Sequence, residues 1–529
     1  MTAPADAPRA AGDAALRAAG GPLARLAGLS GLARLLPPGV LLLALLLTAP
    51  LLALPDHVST NYNEGWNAYL ALRALAHDPA RPLYPPPGSM VFNNYPPLSF
   101  PLVGLLGRLT GDMIVAGRIV ALAALLAGGA LVACCVRRMG GRRDAALAAG
   151  LMLPLFVCTG FSAYVGIDDP QWLAHALMLG GLAVLLGGPR PAAPSVRRAV
   201  LAALLVAAGG FVKHNLIALP LAATAWLAWH DRRALAAWCG AGLVAVLGGF
   251  ALARWLYGPA FLTDLLHHDR VLSARQVLDG VAKLPAMAGP LLAAGLLWLR
   301  PAPGGGGTPA GRGRVLVLLF LALALVTGLA QRLGDGVNYN AQFETLIAAC
   351  LATGLVLARD PADGRFWRLG FGRLGFGRWR LSPARLALVA AMPALAIAPF
   401  RLAHDLDAVR ARPAETGQWQ AAIGRLRAAP GPAACETLAL CYWAGKDETV
   451  DFFNLTQAML VGRQTFPLDA MAGRHVFGLV ELNMAGGRHR EALAQRGRDP
   501  VDAPLRAAGY VPLFAGPDRT VFLAPPPVR

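Results

Sequence analysis

Arg137-Arg138-Met139-Gly140-Gly141-Arg142-Arg143 closes an apolar segment over residues 113–136. A helix needs about 20 apolar residues to cross a bilayer, and this segment supplies them. Arginines crowded into a short loop beside such a helix mark the cytoplasmic side. That assignment orders the residues before it. Segment 97–110 is also apolar, but it is short and contains Pro101 and Arg108. Were it to cross, the arginine loop would lie outside. It is therefore expected along the outer interface as an amphipathic helix. A first span at about 38–54 then leads into an outer loop, 55–112.

The alternation continues. Apolar segments follow at about 145–163, 171–187, 198–212, 216–229, 234–257, 286–299, 314–331, 341–358 and 383–400. Inner loops would carry Arg190, Arg197 and Arg198, then Arg232 and Arg233, then Arg312 and Arg314, then a basic repeat from Arg368 to Arg378. Outer loops would carry Glu64, Asp168 and Asp169, Lys213 and His214, the stretch from Asp264 to Arg275, and that from Asp335 to Glu344. The expected fold is mainly α, a polytopic membrane bundle of about eleven spans with its N-terminus inside. Residues 1–37 are rich in Ala, Arg and Gly and read as a disordered cytoplasmic tail, and the span after them as an uncleaved signal-anchor. Gly304–Gly307 reads as a flexible inner linker.

Composition agrees. Of 529 residues, 56% are hydrophobic and 15% charged, against about 25% charged in a soluble domain. A net charge of +18 would suit nucleic acid, but most of the arginines sit between spans, so they report topology rather than a nucleic-acid partner. The apolar runs are too long and continuous for a membrane β-barrel.

After Arg401 the chain becomes charged and turn-rich, with short apolar runs. Residues 38–401 are thus read as the transmembrane domain and 402–529 as a small α/β domain on the outer side. Cys134, Cys158, Cys239 and Cys350 lie in apolar spans as small core residues. Cys435 and Cys441, if on one strand, stand roughly 20 Å apart and cannot bridge.

The outer face collects polar groups unusual for a membrane protein. Asn61-Tyr62-Asn63-Glu64-Gly65-Trp66-Asn67 opens the first outer loop. Glu64 is either a working carboxylate beside the bilayer or a first-turn acid with Asn63 as helix cap. Further on come Asn93, Asn94 and Tyr95, then Asp168-Asp169-Pro170-Gln171, Lys213-His214-Asn215, and Asn338-Tyr339-Asn340-Ala341-Gln342-Phe343-Glu344. Asp168, Asp169 and Glu344 could be helix-start acids, and Lys213 a snorkelling lysine. Those readings do not explain why four loops of one leaflet share such groups while inner loops carry arginine.

In their order and side these motifs resemble the GT-C superfamily of polyprenyl-phosphate-sugar-dependent membrane glycosyltransferases, near the protein O-mannosyltransferases and aminoarabinose transferases. The matching features are Asn63-Glu64, Tyr95-Pro96-Pro97-Leu98, Asp168-Asp169-Pro170, Lys213, Asn338-Tyr339 with Glu344, and Tyr442-Trp443-Ala444-Gly445-Lys446. The family usually shows Asp-Glu in the first loop, where Asn63 stands here, which leaves the base open between Glu64 and Asp168 or Asp169.

The reading that follows is sugar transfer from a polyprenyl-phosphate donor at the outer face of the inner (plasma) membrane. Glu64 or Asp168 would take the acceptor hydroxyl's proton. Lys213 and His214 would stabilise the leaving phosphate. Asn63, Asn67, Tyr95, Asn338, Tyr339, Gln342 and Glu344 would hold substrate. A single displacement inverts the anomeric centre. Asp168 and Asp169 could bridge a divalent cation, magnesium or manganese, though the spacing does not demand one. The acceptor is a lipid, a glycan or a protein. The competing class is a transporter or flippase, which would place ionisable groups mid-span at broken helices. Here they stand at span ends on one side. No Gly-x-x-x-x-Gly-Lys-Ser/Thr loop is present to support ATP drive. A third class is an assembly protein whose tail binds a partner.

Overall fold

The computed structural model describes residues 31–187, 195–266, 270–300, 308–359, 368–369, 379–380, 382–462, 467–483 and 501–526. The expectations for residues 1–30, Arg190, Gly304–Gly307 and most of the Arg368–Arg378 repeat fall outside these.

Helices occupy every segment read as a span. They are α1 (Leu36–Ala53), α4 (Met113–Arg138), α5 (Arg143–Gly160), α6 (Gln171–Leu186), α7 (Val196–Val212), α8 (Ala218–His230), α9 (Arg232–Tyr257), α11 with α12 (Ala274–Lys283 and Ala288–Leu299), α13 (Pro309–Gln331), α14 (Phe343–Leu357) and α15 (Pro383–Ala428). The remaining membrane-side elements are α2 (Tyr62–Ala76), α3 (Ser99–Thr110) and α10 (Ala260–Leu266). Among the described residues, eight helical stretches are long and apolar enough to cross a bilayer. The chain is a multi-pass membrane protein.

Burial separates the centre of the bundle from its rim. Every residue of α14 is buried, so this helix is the axis. In α9 only Ala234, Trp238 and Ala253 are buried, and Val244 and Trp255 are open on its surface. A helix that is apolar all round and still exposed has lipid as its solvent. Helices α4 and α5 touch backbone to backbone: a Cβ on Gly129 would lie 2.7 Å from the Gly150 carbonyl oxygen, and one on Gly150 2.5 Å from that of Gly129.

Helix α3 carries its buried residues (Ser99, Phe100, Val103, Gly104, Gly107) on one face and the exposed Leu102, Leu105 and Leu109 on the other. That is the amphipathic helix expected over 97–110. The loop before it also contains α2, whose buried face includes Trp66, Tyr69 and Leu70.

Helix α15 leaves the bundle without a break, passes the change of composition at Arg401, and ends at Ala428. Its far end buries Trp419, Ile423 and Leu426 in one core with Trp66 and Tyr69 of α2. Strands β1 (Ala433–Cys435), β2 (Leu479–Asn483), β3 (Val511–Ala515) and β4 (Thr520–Ala524) form a sheet in the order β1-β2-β4-β3. β1 and β2 are parallel, and the other pairs antiparallel. Helices α16 (Leu438–Trp443), α17 (Phe452–Val461), α18 (Leu468–Gly473) and α19 (Asp502–Ala507) complete the small α/β domain.

One expectation is overturned here. Cys435 and Cys441 are disulfide-bonded, with Cα atoms 5.9 Å apart. The stretch is not one strand: β1 stops at Cys435, the chain turns, and α16 brings Cys441 back over it.

The domain rests on α2. Tyr62 donates to Asp451, Tyr69 donates to the Lys446 carbonyl at 2.6 Å, and Arg73 Nη2 lies 2.8 Å from Glu448 Oε2. Burial pushes the Glu448 carboxyl up to about 7, and Arg73 only partly opposes it. Because this value lies above that of an unfolded glutamate, the folded state binds the proton more tightly. The stability Glu448 contributes is therefore full below about pH 4 and lost as pH rises through about 7. Glu448→Gln should match wild type near pH 4 and gain on it up to pH 8, by at most about 3 kcal/mol. Thermal midpoints across pH measure this, and a gap that does not vary with pH contradicts it.

Candidate active site

Helix α2 starts where Asn61 Oδ1 accepts from the Asn63 amide at 3.0 Å. The cap is therefore Asn61 rather than Asn63, and Glu64 stands in the first turn, where amide dipoles favour an acid. Glu64 is fully buried. Its carboxylate accepts from Arg118 Nε at 2.7 Å and Nη2 at 2.9 Å. It also accepts from the Thr60 amide at 2.9 Å, Ser59 Oγ at 3.2 Å and the Asp168 amide at 3.3 Å.

Arg118 was not singled out in the sequence. It sits inside α4, 1% exposed. Its guanidinium also donates to the carbonyls of Ala53 at 3.1 Å, Leu54 at 3.2 Å, Asp56 at 2.7 Å and Val58 at 2.6 Å. The last carbonyls of a helix lack intrahelical partners, and a planar fork of five N–H groups can serve several at once. The signal was present: an arginine within an apolar span wants a buried acid.

Asp168 and Asp169 lie between α5 and α6. Asp169 Oδ2 accepts from Asn63 Nδ2 at 3.1 Å. Its Oδ1 accepts from the Gln171 amide at 2.8 Å and from Lys213 Nζ at 3.3 Å. Lys213 Nζ is 4.9 Å from the centre of the Tyr95 ring, which meets Trp66 edge-on. Burial draws the Lys213 ammonium down, but Asp169 and Tyr95 more than offset it, so its pKa is raised. Asn67 Nδ2 donates to the Asp168 carbonyl at 2.6 Å.

The Asp168 carboxylate lies against Gly117, where any Cβ would collide with it. Asp168 Oδ2, Asn67 Oδ1 and Ser99 Oγ are buried and take part in no hydrogen bond. All three residues line one cavity of about 10 Å³, room for a single water-sized group. Burial, Glu64 and Asp169 lift the Asp168 carboxyl well above the usual range, against the pull of Arg118.

His214 lines a second space, an apolar groove of about 310 Å³ walled by α7, α8 and α9, with Pro96 also on its lining. Burial, and then neighbouring Lys213, lower the His214 pKa.

The other candidates stand apart from the aspartates. Asn340 Nδ2 donates to Gln171 Oε1 at 3.3 Å, a link from the late loop to α6. Asn338 caps its own short turn. The Tyr339 ring has Lys283 Nζ 5.1 Å and Arg332 Cζ 5.0 Å from its centre. Gln342 Nε2 donates to the Gly280 carbonyl at 2.6 Å. Glu344 accepts from the amides of Ala218 at 3.4 Å and Leu219 at 3.0 Å, so it caps α8 from another helix.

The residues do not make a ready metal site. Asp169 commits its two oxygens to Asn63, Gln171 and Lys213. Among the described residues no three His, Cys, Asp or Glu side chains group as a ligand set.

No protein-family model matches the sequence, and no curated protein matches it. The fold has solved counterparts. ArnT from Cupriavidus metallidurans is 16% identical, with a TM-score of 0.59 over 92% of this chain and 97% of that one; its crystal structures include an apo state and one bound to undecaprenyl phosphate. The archaeal oligosaccharyltransferase AglB from Archaeoglobus fulgidus, in complex with an inhibitory peptide and a dolichol-phosphate, is 13% identical, with a TM-score of 0.48 over 92% of this chain and 74% of that one. The helical bundle with its appended small domain thus has the fold of ArnT.

Arg118→Ala leaves Glu64 buried and unpaired, and should cost about 3–5 kcal/mol of stability. Replacing both partners, Glu64→Gln with Arg118→Met, should recover most of that loss. Unfolding midpoints in detergent decide it: a double variant no more stable than Arg118→Ala contradicts the account.

Proposed function

We propose that the protein is a membrane glycosyltransferase that moves a sugar from a polyprenyl-phosphate donor to an acceptor hydroxyl. The reaction would take place at the outer face of the inner membrane, with the N-terminus cytoplasmic and the C-terminal domain outside. The observation that carries this reading is a juxtaposition. An apolar groove has His214 on its lining, next in sequence to Lys213, and Lys213 is tied to the Asp168-Asp169 loop. Such a groove suits an isoprenoid tail, and the cation and imidazole beside it suit a phosphate. The shared architecture with ArnT, which has been crystallised with undecaprenyl phosphate, supports it.

In this reading Asp168 is the base. Its Oδ2 accepts no hydrogen bond, whereas both oxygens of Glu64 are occupied. The acceptor oxygen attacks the anomeric carbon, its proton passes to Asp168, and the bond from that carbon to the lipid-phosphate oxygen breaks. The bonding pair leaves with the phosphate, and the configuration inverts. The Lys213 ammonium, with the His214 imidazole next to it in the chain, would stabilise the leaving phosphate. Glu64, itself held by Arg118, sets the position of Asp168 by accepting from its amide. Asp169 aligns Asn63 with Lys213. Tyr95, Asn67, Asn338 and Tyr339 contact sugar or acceptor, while Gln342 and Glu344 hold the neighbouring helices in place.

The test is transfer by purified protein from the lipid-linked sugar that accumulates in cells lacking it. Asp168→Asn should lower turnover by about 10²–10⁴-fold, the usual worth of a general base. Glu64→Gln should lower it less. Full activity in Asp168→Asn removes the assignment. Reporter tags at residues 140 and 450 should read inside and outside; the same side for both would rule out the arrangement.

A further inference from the structure

Residues 433–448 form a device that the transfer reading does not use. Helix α16 has six residues, too few to persist alone in water. Three things hold it. Glu481 accepts from the Thr437 amide at 2.7 Å at its start, the disulfide from Cys441 ties it to the end of β1, and its backbone lies directly on α2. Gly65 is the contact point, since a Cβ there would run into the backbone of Leu438 and Ala439.

Helix α16 also reaches the bundle. Tyr442 Oη accepts from the Met113 amide at 2.8 Å, and Trp443 Nε1 donates to Asp112 Oδ2 at 2.8 Å. Asp112 caps α4, the helix that carries Gly117 and Arg118. One short helix therefore bears on both elements that frame Asp168.

We infer that the Cys435–Cys441 disulfide is a positioning element, closing α16 into a clasp that holds α2 and the start of α4, so that the candidate site is assembled only after these two thiols are oxidised. The step is a thiol–disulfide exchange. The two cysteine thiols give up two protons and two electrons, one S–S bond forms between them, and the disulfide of an oxidising protein is reduced to two thiols. Such oxidants act outside the cytoplasm, where the proposed function places this domain, and the inference rests on that reading. The free cysteines described, Cys134, Cys135, Cys158, Cys239 and Cys350, all lie in bundle helices and offer the domain no wrong partner.

The experiment compares full-length wild type with Cys435→Ala/Cys441→Ala in lipid nanodiscs. Amide exchange across residues 62–76 should become at least about tenfold faster, as expected when a local constraint is lost. Turnover should fall at least about tenfold, while affinity for undecaprenyl phosphate stays within about threefold, because the groove does not touch the clasp. A scaffold without a positioning role would not split turnover from binding in this way. Faster exchange confined to residues 433–445 overturns the inference, as do free thiols at 435 and 441 in protein purified without reductant. Should the double variant not fold, Gly65→Ala keeps the disulfide but pushes α16 off α2, and must give the same exchange pattern or the inference fails. Coupled exchange with no transfer from any lipid-phosphate sugar counts against the proposed function and leaves the clasp standing.

Discussion

The ion pair between Glu64 and Arg118 holds one end of the helical bundle in register. Neither charge could be buried alone, since an unpaired ion in a protein interior costs several kcal/mol. Here the pair is surrounded by further partners: four carbonyls around the guanidinium, and two amides and a hydroxyl around the carboxylate. The end of α1, the start of α2 and the Asp168 loop are all referred to one point on α4. A long connection between membrane helices thereby gains a defined shape.

Around that point the chain keeps two environments side by side. On one side a groove has nearly all its polar atoms turned away. On the other a cluster of acids, amides and a lysine is almost closed to water, with Gly117 giving the Asp168 carboxylate its room. Polar atoms in a dry setting interact strongly, because the local dielectric is low. Such a boundary suits a substrate that is hydrocarbon at one end and charged at the other.

Much of this was legible from residue placement. Arginine clusters and acids fell on opposite sides of the apolar segments, which ordered the helices and put Asp168, Asp169, Lys213 and Asn63 on one face. What stayed hidden was long-range pairing. Nothing local marks the partner of Arg118, because it is 54 positions earlier in the chain. Glu344 carried the signature of an acid at its own helix start, and its work on α8 depends on a neighbour that no local pattern reveals. Cys435 and Cys441 were misjudged because an apolar run of that length fits strand and helix alike, and the two differ about twofold in the distance they cover.

Helix α15 has 46 residues in one piece, from within the bundle to the edge of the sheet, and at about 1.5 Å per residue it is roughly 70 Å long. A rod of that length acts as a lever. A tilt of a few degrees where it crosses the lipid displaces its far end by several ångströms. Pro393, Pro399 and Pro413 within it are the points where it can bend. The way α15 lies in the bilayer is thus mechanically connected to the seating of the C-terminal domain on α2.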